Sequence, residues 1–347
     1  MKRILKNAGP ALSAFTKVKQ LPFKYCRLWF CLAFTGCAST VPQPTQVVLS
    51  DFYQAPQSYD EHRAQQQIFV STTGDIAYTD HGDGKVLLLL HGVPTSSWLY
   101  RKIIPQLQQD FRVVSVDLLG YGSSAKPEDD GSNYGAVAQA QRVSALLNFL
   151  SIREYAIMMH DMGGLVAWEL LRLAPKSASE LIIQNTIVHQ DGFNSPDIKP
   201  GFMARQLTKA YSSRMTSAAI LDVTFRNLGL GGEYQLSESE CHGYVKPLRE
   251  GSSPALYAFF TSLNDELFQH LEDNRQLFDD YRGKALVLWG GKDDVLTTQQ
   301  IPFLRDHLRI PDEDIHIYPD NQHFLVEEIP GEVITQVRDF LDRDQER

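Results

Sequence analysis

Beyond residue 37 the sequence has a single cysteine, Cys241; the other three of its four, Cys26, Cys31 and Cys37, crowd the amino-terminal region. An internal disulfide is therefore excluded for the body of the protein, which must be held together by its core. Basic residues are scarce there as well. Seven of the 33 Lys and Arg (Lys2, Arg3, Lys6, Lys17, Lys19, Lys24 and Arg27) fall within residues 1–36, where there is no acid, leaving 26 to face 42 Asp and Glu. A body that acidic repels phosphate backbones, which argues against nucleic acid as a partner. Long hydrophobic runs are also missing: the stretch Leu28–Phe34 is too short to span a bilayer, which needs roughly 20 residues. The sequence shows no internal repeats, and its His and Asp residues lack metal-ligand spacing, so neither a metal nor an organic cofactor is implied.

What is present is ordinary globular material, 43% hydrophobic and 22% charged over 347 residues, enough for one large α/β domain carrying an inserted subdomain. The amino terminus reads as an export signal over residues 1–37: a basic stretch ending at Arg27, a short apolar run, then Thr35-Gly36-Cys37-Ala38-Ser39. The string around Cys37 resembles a bacterial lipobox, in which the cysteine is lipidated and becomes the new first residue. The expectation is a lipoprotein of the cell envelope, attached to membrane through that lipid. Ala38 lacks the acidic character that goes with inner-membrane retention, so in a diderm bacterium the expected site is the periplasmic face of the outer membrane. Residues 38–62, with Pro42, Pro44, Pro56 and many Gln, Ser and Thr, read as a tether.

From there strand and helix patterns alternate, which predicts a mostly parallel sheet covered by helices on both faces. Predicted strands are Gln67–Ser71, Ile76–Thr79, Val86–Leu90, Arg112–Asp117, Tyr155–Met159, Leu181–Asn185, Ala285–Trp289 and Asp314–Tyr318; predicted helices are Ser97–Gln109, Ala136–Leu150, Gly164–Leu173 and Gly331–Asp344. Between the sixth and seventh strands the pattern is helical, broken at Gly229–Gly232. The reading is a core of residues 63–188 and 285–347 with a helical cap, 189–284, inserted over the strand ends. Trp98, Trp168 and Trp289 read as packing residues, and Cys241 as a small buried hydrophobe in the cap.

Four short motifs carry the chemistry. Tyr155 to Leu165 reads as a strand, a sharp turn at Asp161 and a helix opening on Met162-Gly163-Gly164. That is the layout of a nucleophile elbow, with aspartate where G-x-S-x-G places serine and Met159 where a small residue is usual. Taken alone, the segment fits an ordinary strand-to-helix N-cap equally well, since Asp is favoured there. His91-Gly92-Val93-Pro94 follows the apolar strand Val86–Leu90, so that the backbone N–H groups of Val93 and Met162 can form an oxyanion hole. Trp289-Gly290-Gly291-Lys292-Asp293-Asp294 and Asn321-Gln322-His323-Phe324 follow later strands, giving the order nucleophile, acid, histidine. His91 and His160 read as structural, fixing loops by hydrogen bonds.

With these motifs, and with Pro94 to Arg101 and Asp117 to Pro127, the chain from about Ile76 onward resembles the aspartate-nucleophile branch of the α/β-hydrolase superfamily, which contains haloalkane dehalogenases and epoxide hydrolases. The resemblance implies a triad of Asp161, Asp293 and His323, with Asp294 as the alternative acid. An ionised carboxylate, with a reference pKa of about 3.9, needs no base to attack a saturated carbon. Water then breaks the resulting alkyl ester at the Asp161 carbonyl, with His323 as general base. The expected partners are a small apolar electrophile and water.

Within that branch, haloalkane dehalogenases hold the halide with N–H donors, usually a tryptophan after the nucleophile plus an asparagine after His-Gly or a tryptophan in the cap. Here those positions are Met162 and Val93, which cannot donate through their side chains, and residues 189–284 contain no tryptophan. Epoxide hydrolases instead protonate the leaving oxygen with two cap tyrosines. Of Tyr211, Tyr234, Tyr244, Tyr257 and Tyr281, the resemblance places Tyr211 and Tyr257 at that task. Epoxide hydrolysis is therefore the leading expectation and haloalkane hydrolysis the alternative. A non-catalytic binding protein that keeps the triad by descent is the alternative of another class.

Overall fold

The structure is a computed structural model that describes residues 52–128, 132–194, 199–214, 234 and 236–343. The apolar run Val86–Leu90 forms a strand in the middle of an eight-stranded sheet, and Leu87 to Leu90 are wholly buried, as continuous apolar strands covered on both faces are. In chain order the strands are β1 (Gln67–Phe69), β2 (Ile76–His81), β3 (Val86–Leu90), β4 (Arg112–Val116), β5 (Tyr155–Asp161), β6 (Ala178–Thr186), β7 (Lys284–Gly290) and β8 (Ile315–Tyr318). Their spatial order is β1-β2-β4-β3-β5-β6-β7-β8; only β2 runs against its neighbours. The parallel strands β3 to β8 therefore deliver their carboxyl ends to one edge, where the loops after β3, β5, β7 and β8 carry the four motifs.

The predicted helix Ser97–Gln109 is broken. A single 3₁₀ turn, Ser97–Tyr100, is followed by a short helix, Ile104–Leu107, that restarts at Pro105. Proline has no N–H to give and a φ suited to a first helical turn, so it starts a helix where periodicity alone suggested a continuation. The other predicted helices are present as Ala136–Phe149, Met162–Leu173 and Pro330–Asp342. Trp98, Trp168 and Trp289 are all buried, and Cys241 is half-buried with no disulfide.

The tether expected over residues 38–62 overlaps folded structure. Ser58 caps a helix, Tyr59–Ala64, and Tyr53, Tyr59 and His62 are buried. The Tyr53 hydroxyl meets His62 Nδ1 at 2.6 Å and His62 Nε2 meets Ser97 Oγ at 2.8 Å, so from Tyr53 onward the chain is packed into the body. The abundance of Gln, Ser and Pro concealed three buried rings. The leader, Cys37 and residues 38–51 lie outside the described residues, as does the break at Gly229–Gly232. Among the described residues no helix is long and apolar enough to cross a membrane.

Between β6 and β7 the described residues form the helices Phe202–Arg214, Glu238–Arg249, Ser253–Ser262, Asp265–Glu272 and Asn274–Asp280. Glu238–Arg249 is clamped to the core. Buried Arg101 pairs with Glu327 and, at 2.8 Å, with Glu240, while its guanidinium lies 4.4 Å over the Trp98 ring. Lys102 joins Glu327 at 2.7 Å, and the Tyr244 hydroxyl also donates to Glu327.

Candidate active site

β5 ends at Asp161, whose φ of 50° and ψ of −122° are a strained conformation for a residue with a side chain, and the next residue opens the helix Met162–Leu173. The strain holds the carboxylate at the strand edge instead of letting it cap the helix, and Asp161 makes no capping bond. Thr186 Oγ donates to the Asp161 carbonyl at 2.6 Å and so fixes the backbone of the turn from β6. Two close approaches need glycine. A Cβ on Gly163 would lie 2.3 Å from the Leu90 carbonyl oxygen, and one on Gly92 would lie 2.3 Å from the Asp161 Cβ. Met159, the departure from the usual elbow pattern, is wholly buried in β5 without disturbing the turn.

The Val93 N–H donates to Asp161 Oδ1 at 2.7 Å, and the Met162 N–H also bonds the carboxyl. Burial pushes the Asp161 carboxyl above the usual carboxylate range, against the pull of His323 and of these two N–H groups. His323 Nε2 stands 3.8 Å from Asp161 Oδ2, and its Nδ1 bonds Asp293 Oδ2 at 2.7 Å. Asp293 has no proton to give: Oδ2 also accepts from Asn185 Nδ2 at 2.7 Å, and Oδ1 from the Val295 and Leu296 N–H groups, both at 2.9 Å. Against burial, His323 and these N–H groups hold Asp293 below its ordinary value. The imidazole Nδ1 is thereby the donor to Asp293, and Nε2 is the nitrogen that faces Asp161.

The geometry separates the two candidate acids. Asp293 is 4% exposed and touches His323, whereas Asp294 is exposed and contributes its backbone carbonyl to Asn194. His91 accepts from the Leu118 N–H at Nε2 (3.0 Å), which leaves Nδ1–H to donate to the Gly92 carbonyl at 2.8 Å. It is a neutral strut for the Val93 loop, and burial lowers its pKa. His160 Nε2 contacts the His323 carbonyl at 2.9 Å, and the two rings lie 4.4 Å apart.

The cap tyrosines are mostly occupied. Tyr244 and Tyr234 donate to Glu327, and Tyr281 to the Lys284 carbonyl at 3.4 Å. Tyr257 accepts from the Gly201 N–H at 3.2 Å and lies under the Arg205 guanidinium at 4.2 Å, so its described contacts lie within the cap and none is to Asp161. Tyr211 belongs to the helix Phe202–Arg214, and its side chain lies outside the described residues. Beside the elbow opens a cleft of about 560 Å³, lined among others by Met162, Leu165, Val137, Phe259 and Leu267. Among the described residues no group of three or more His, Cys, Asp or Glu is arranged to hold a metal ion.

Three site residues were not legible in the sequence. Asn185 and Thr186 are ordinary strand-end residues until β6 is placed beside β5 and β7. Tyr121 is a buried phenol with no hydrogen-bond partner among the described residues, and its ring meets that of His91 edge-on at 5.6 Å.

The burial of His323 disfavours its cation, but Asp293 and Asp161 outweigh this and raise its pKa above 6.5. The unprotonated base is therefore lost as pH falls through a midpoint above 6.5. The rate of ester breakdown should show an acid limb set by His323 with the Asp161 charge removed, hence lower than in the free protein, and Asp293→Asn should move it to still lower pH. A limb unmoved by Asp293→Asn would remove Asp293 from the site.

The family model of the alpha/beta hydrolase fold matches residues 85–330, a span that includes Asp161, Asp293 and His323, and the chain belongs to that family. It is 24% identical over 293 residues to a cis-3-alkyl-4-alkyloxetan-2-one decarboxylase of Shewanella oneidensis, covering 79% of this chain and 87% of that one. To epoxide hydrolase 3 of Xenopus tropicalis it is 26% identical, covering 77% and 74%. To haloalkane dehalogenase 2 of Mycobacterium bovis it is 27% identical, covering 83% and 97%.

Proposed function

We propose that the protein hydrolyses small apolar electrophiles through an ester formed on Asp161, with epoxides preferred. The observation that carries this is a carboxylate held at a strained elbow by two backbone N–H groups, with the His323 Nε2 3.8 Å away. Oδ1 is tied to the Val93 N–H and is the natural ester carbonyl oxygen; Oδ2 is left to attack. Attack on a ring carbon forms the C–O ester bond and breaks the ring C–O bond, and the released oxygen takes a proton. His323 Nε2 then takes a proton from water as the hydroxide adds to the ester carbonyl. The resulting oxyanion is met by the Val93 and Met162 N–H groups, and collapse releases the diol as the proton returns. A pure binding protein would gain nothing from an imidazole oriented by a fully bonded buried carboxylate.

In this cycle the first product takes an oxygen from Asp161. A single turnover in ¹⁸O water should give product without heavy label; label in that product would mean direct attack by water and would end this reading.

The preference for epoxides rests on the leaving group. A departing halide carries a full charge, and the loss of a preorganised donor to such a charge costs about 10² to 10³ in rate. Val93 and Met162 supply no side-chain donor. Strain in a three-membered ring assists departure, and the oxygen leaves as a hydroxyl once protonated. Tyr211 and Tyr257 are the cap phenols assigned to that proton; Tyr257 accepts the Gly201 N–H and keeps its own O–H to give. The kcat/KM for a terminal epoxide should exceed that for a bromoalkane of matching length, and Tyr211→Phe should depress the former only. Faster bromoalkane turnover indifferent to Tyr211 would favour haloalkane hydrolysis, as the similarity to a haloalkane dehalogenase suggests.

A further inference from the structure

The cleft beside the elbow holds a carboxylate that the reaction at Asp161 does not use. Its floor is one face of the helix Met162–Leu173, where Met162, Leu165 and Glu169 recur at helical spacing. Its roof is the cap, with Phe259 from the helix Ser253–Ser262, and Leu267 and His270 from the helix Asp265–Glu272. The inner end is apolar: Met162, whose N–H bonds the Asp161 carboxyl, is buried, as are Leu165 and Phe259. Glu169 stands two turns further along the helix from Met162, about 10 Å away at 1.5 Å per residue. It is 8% exposed. Both of its partners reach the same oxygen: Arg172 donates to Oε1 at 2.9 Å and His270 Nε2 donates to Oε1 at 2.7 Å, while Oε2 has no partner among the described residues.

We propose that this cleft takes the tail of the substrate, an unbranched alkyl chain ending in a hydroxyl, with Glu169 Oε2 accepting a hydrogen bond from that hydroxyl. The proposal rests on the reading that an electrophilic carbon reacts at Asp161. A volume of about 560 Å³ and apolar inner walls with a polar group at one end are features of a small-molecule site. The chain length follows from the helix: an extended chain advances about 1.2 Å per bond, so about eight bonds separate the reacting carbon from the end group. The end group follows from Glu169. A methyl end would cover Oε2 without bonding it, and a buried acceptor left unpaired is costly. A carboxylate end would meet Glu169 and, on the rim, exposed Glu266 as like charges. A cation gains less than it would from a lone carboxylate, because Arg172 already balances the Glu169 charge. A neutral donor satisfies Oε2 without any of these costs.

The test compares kcat/KM for a four-carbon terminal epoxide and for ten-carbon terminal epoxides whose far end is a methyl, a hydroxyl or a carboxylate. The hydroxyl end should exceed the methyl end about tenfold, and the carboxylate end by more. In Glu169→Ala the hydroxyl and methyl ends should become equal, a ratio that a general loss of activity does not move. His270→Ala should keep the preference, since His270 bonds Oε1 and not Oε2. Leu267→Trp, at a half-buried position in the roof, should fill the cleft and lower turnover of the hydroxyl-ended chain about tenfold more than that of the four-carbon epoxide. This comparison and that of the three ends stand even if Glu169→Ala fails to fold. Calorimetry with decanol and decanoate, which cannot react, separates the cleft from the chemistry: decanol should bind, decanoate should not, and Leu267→Trp should weaken decanol about tenfold. That binding pattern without turnover of any epoxide would sink the reaction at Asp161 and leave the cleft standing. Equal turnover of the three ends, a hydroxyl preference that survives Glu169→Ala, or one that is lost in His270→Ala would overturn the assignment of Glu169. A Leu267→Trp variant that lowers the short and long epoxides equally would remove the tail from the cleft.

Discussion

His323→Gln is expected to let the ester form on Asp161 and then persist, lowering steady-state turnover by about 10² to 10⁴, the usual contribution of a positioned general base. Glutamine can still donate to Asp293 in place of Nδ1–H, so the loop should survive, but it cannot accept a proton from water. The attack itself needs no base, because Asp161 faces the substrate as a carboxylate already held by the Val93 and Met162 N–H groups. Mass spectrometry of the variant after exposure to an epoxide should show one added substrate mass on the peptide containing Asp161. Asp161→Ala should show none. The pH argument points the same way. In the ester Asp161 is neutral, so one of the charges that raise the His323 pKa disappears just when its unprotonated form is required. Sustained turnover by His323→Gln, with no adduct, would remove His323 from the second step.

The motifs were legible because each is local. A parallel sheet gathers its strand ends at one edge, so an apolar run followed by His-Gly-Val-Pro, or by His-Asp-Met-Gly-Gly, already declares which residues stand at that edge. What strand periodicity could not decide was the choice between the adjacent Asp293 and Asp294. The loop decides it: Asp293 turns in and accepts the N–H groups two and three residues on, and Asp294 is left outside. Partners distant in sequence were beyond reach for the same reason. Asn185 reaches Asp293 across 108 residues, and Arg101 reaches Glu327 across 226. The Tyr257 hydroxyl accepts the Gly201 N–H from 56 residues away, a contact no spacing rule reports.

Glu327→Ala should be among the most destabilising single substitutions in the chain, at about 3–5 kcal/mol, because it strands a buried guanidinium. Arg101 is 3% exposed and Glu327 is 1% exposed; Lys102, Tyr234 and Tyr244 also converge on Glu327. Of its two carboxylate partners Arg101 then keeps only Glu240, which is shared with Lys102. The cost belongs to the broken pair, not to the absence of charge. Arg101→Met/Glu327→Met, which replaces both partners by apolar chains of similar length, should therefore recover a large part of it in urea unfolding. The pair also bears on the site, since Glu327 lies four residues after His323, and its neighbour Glu328 accepts the Gln322 N–H at 3.1 Å. Glu327→Ala should thus lower kcat through a loosened His323 loop, while the double variant, whose cap and core stay packed, should lose less of it. If the double variant is as unstable as Glu327→Ala, the clamp works through its hydrogen bonds to Tyr234 and Tyr244, and the stranded-charge account fails.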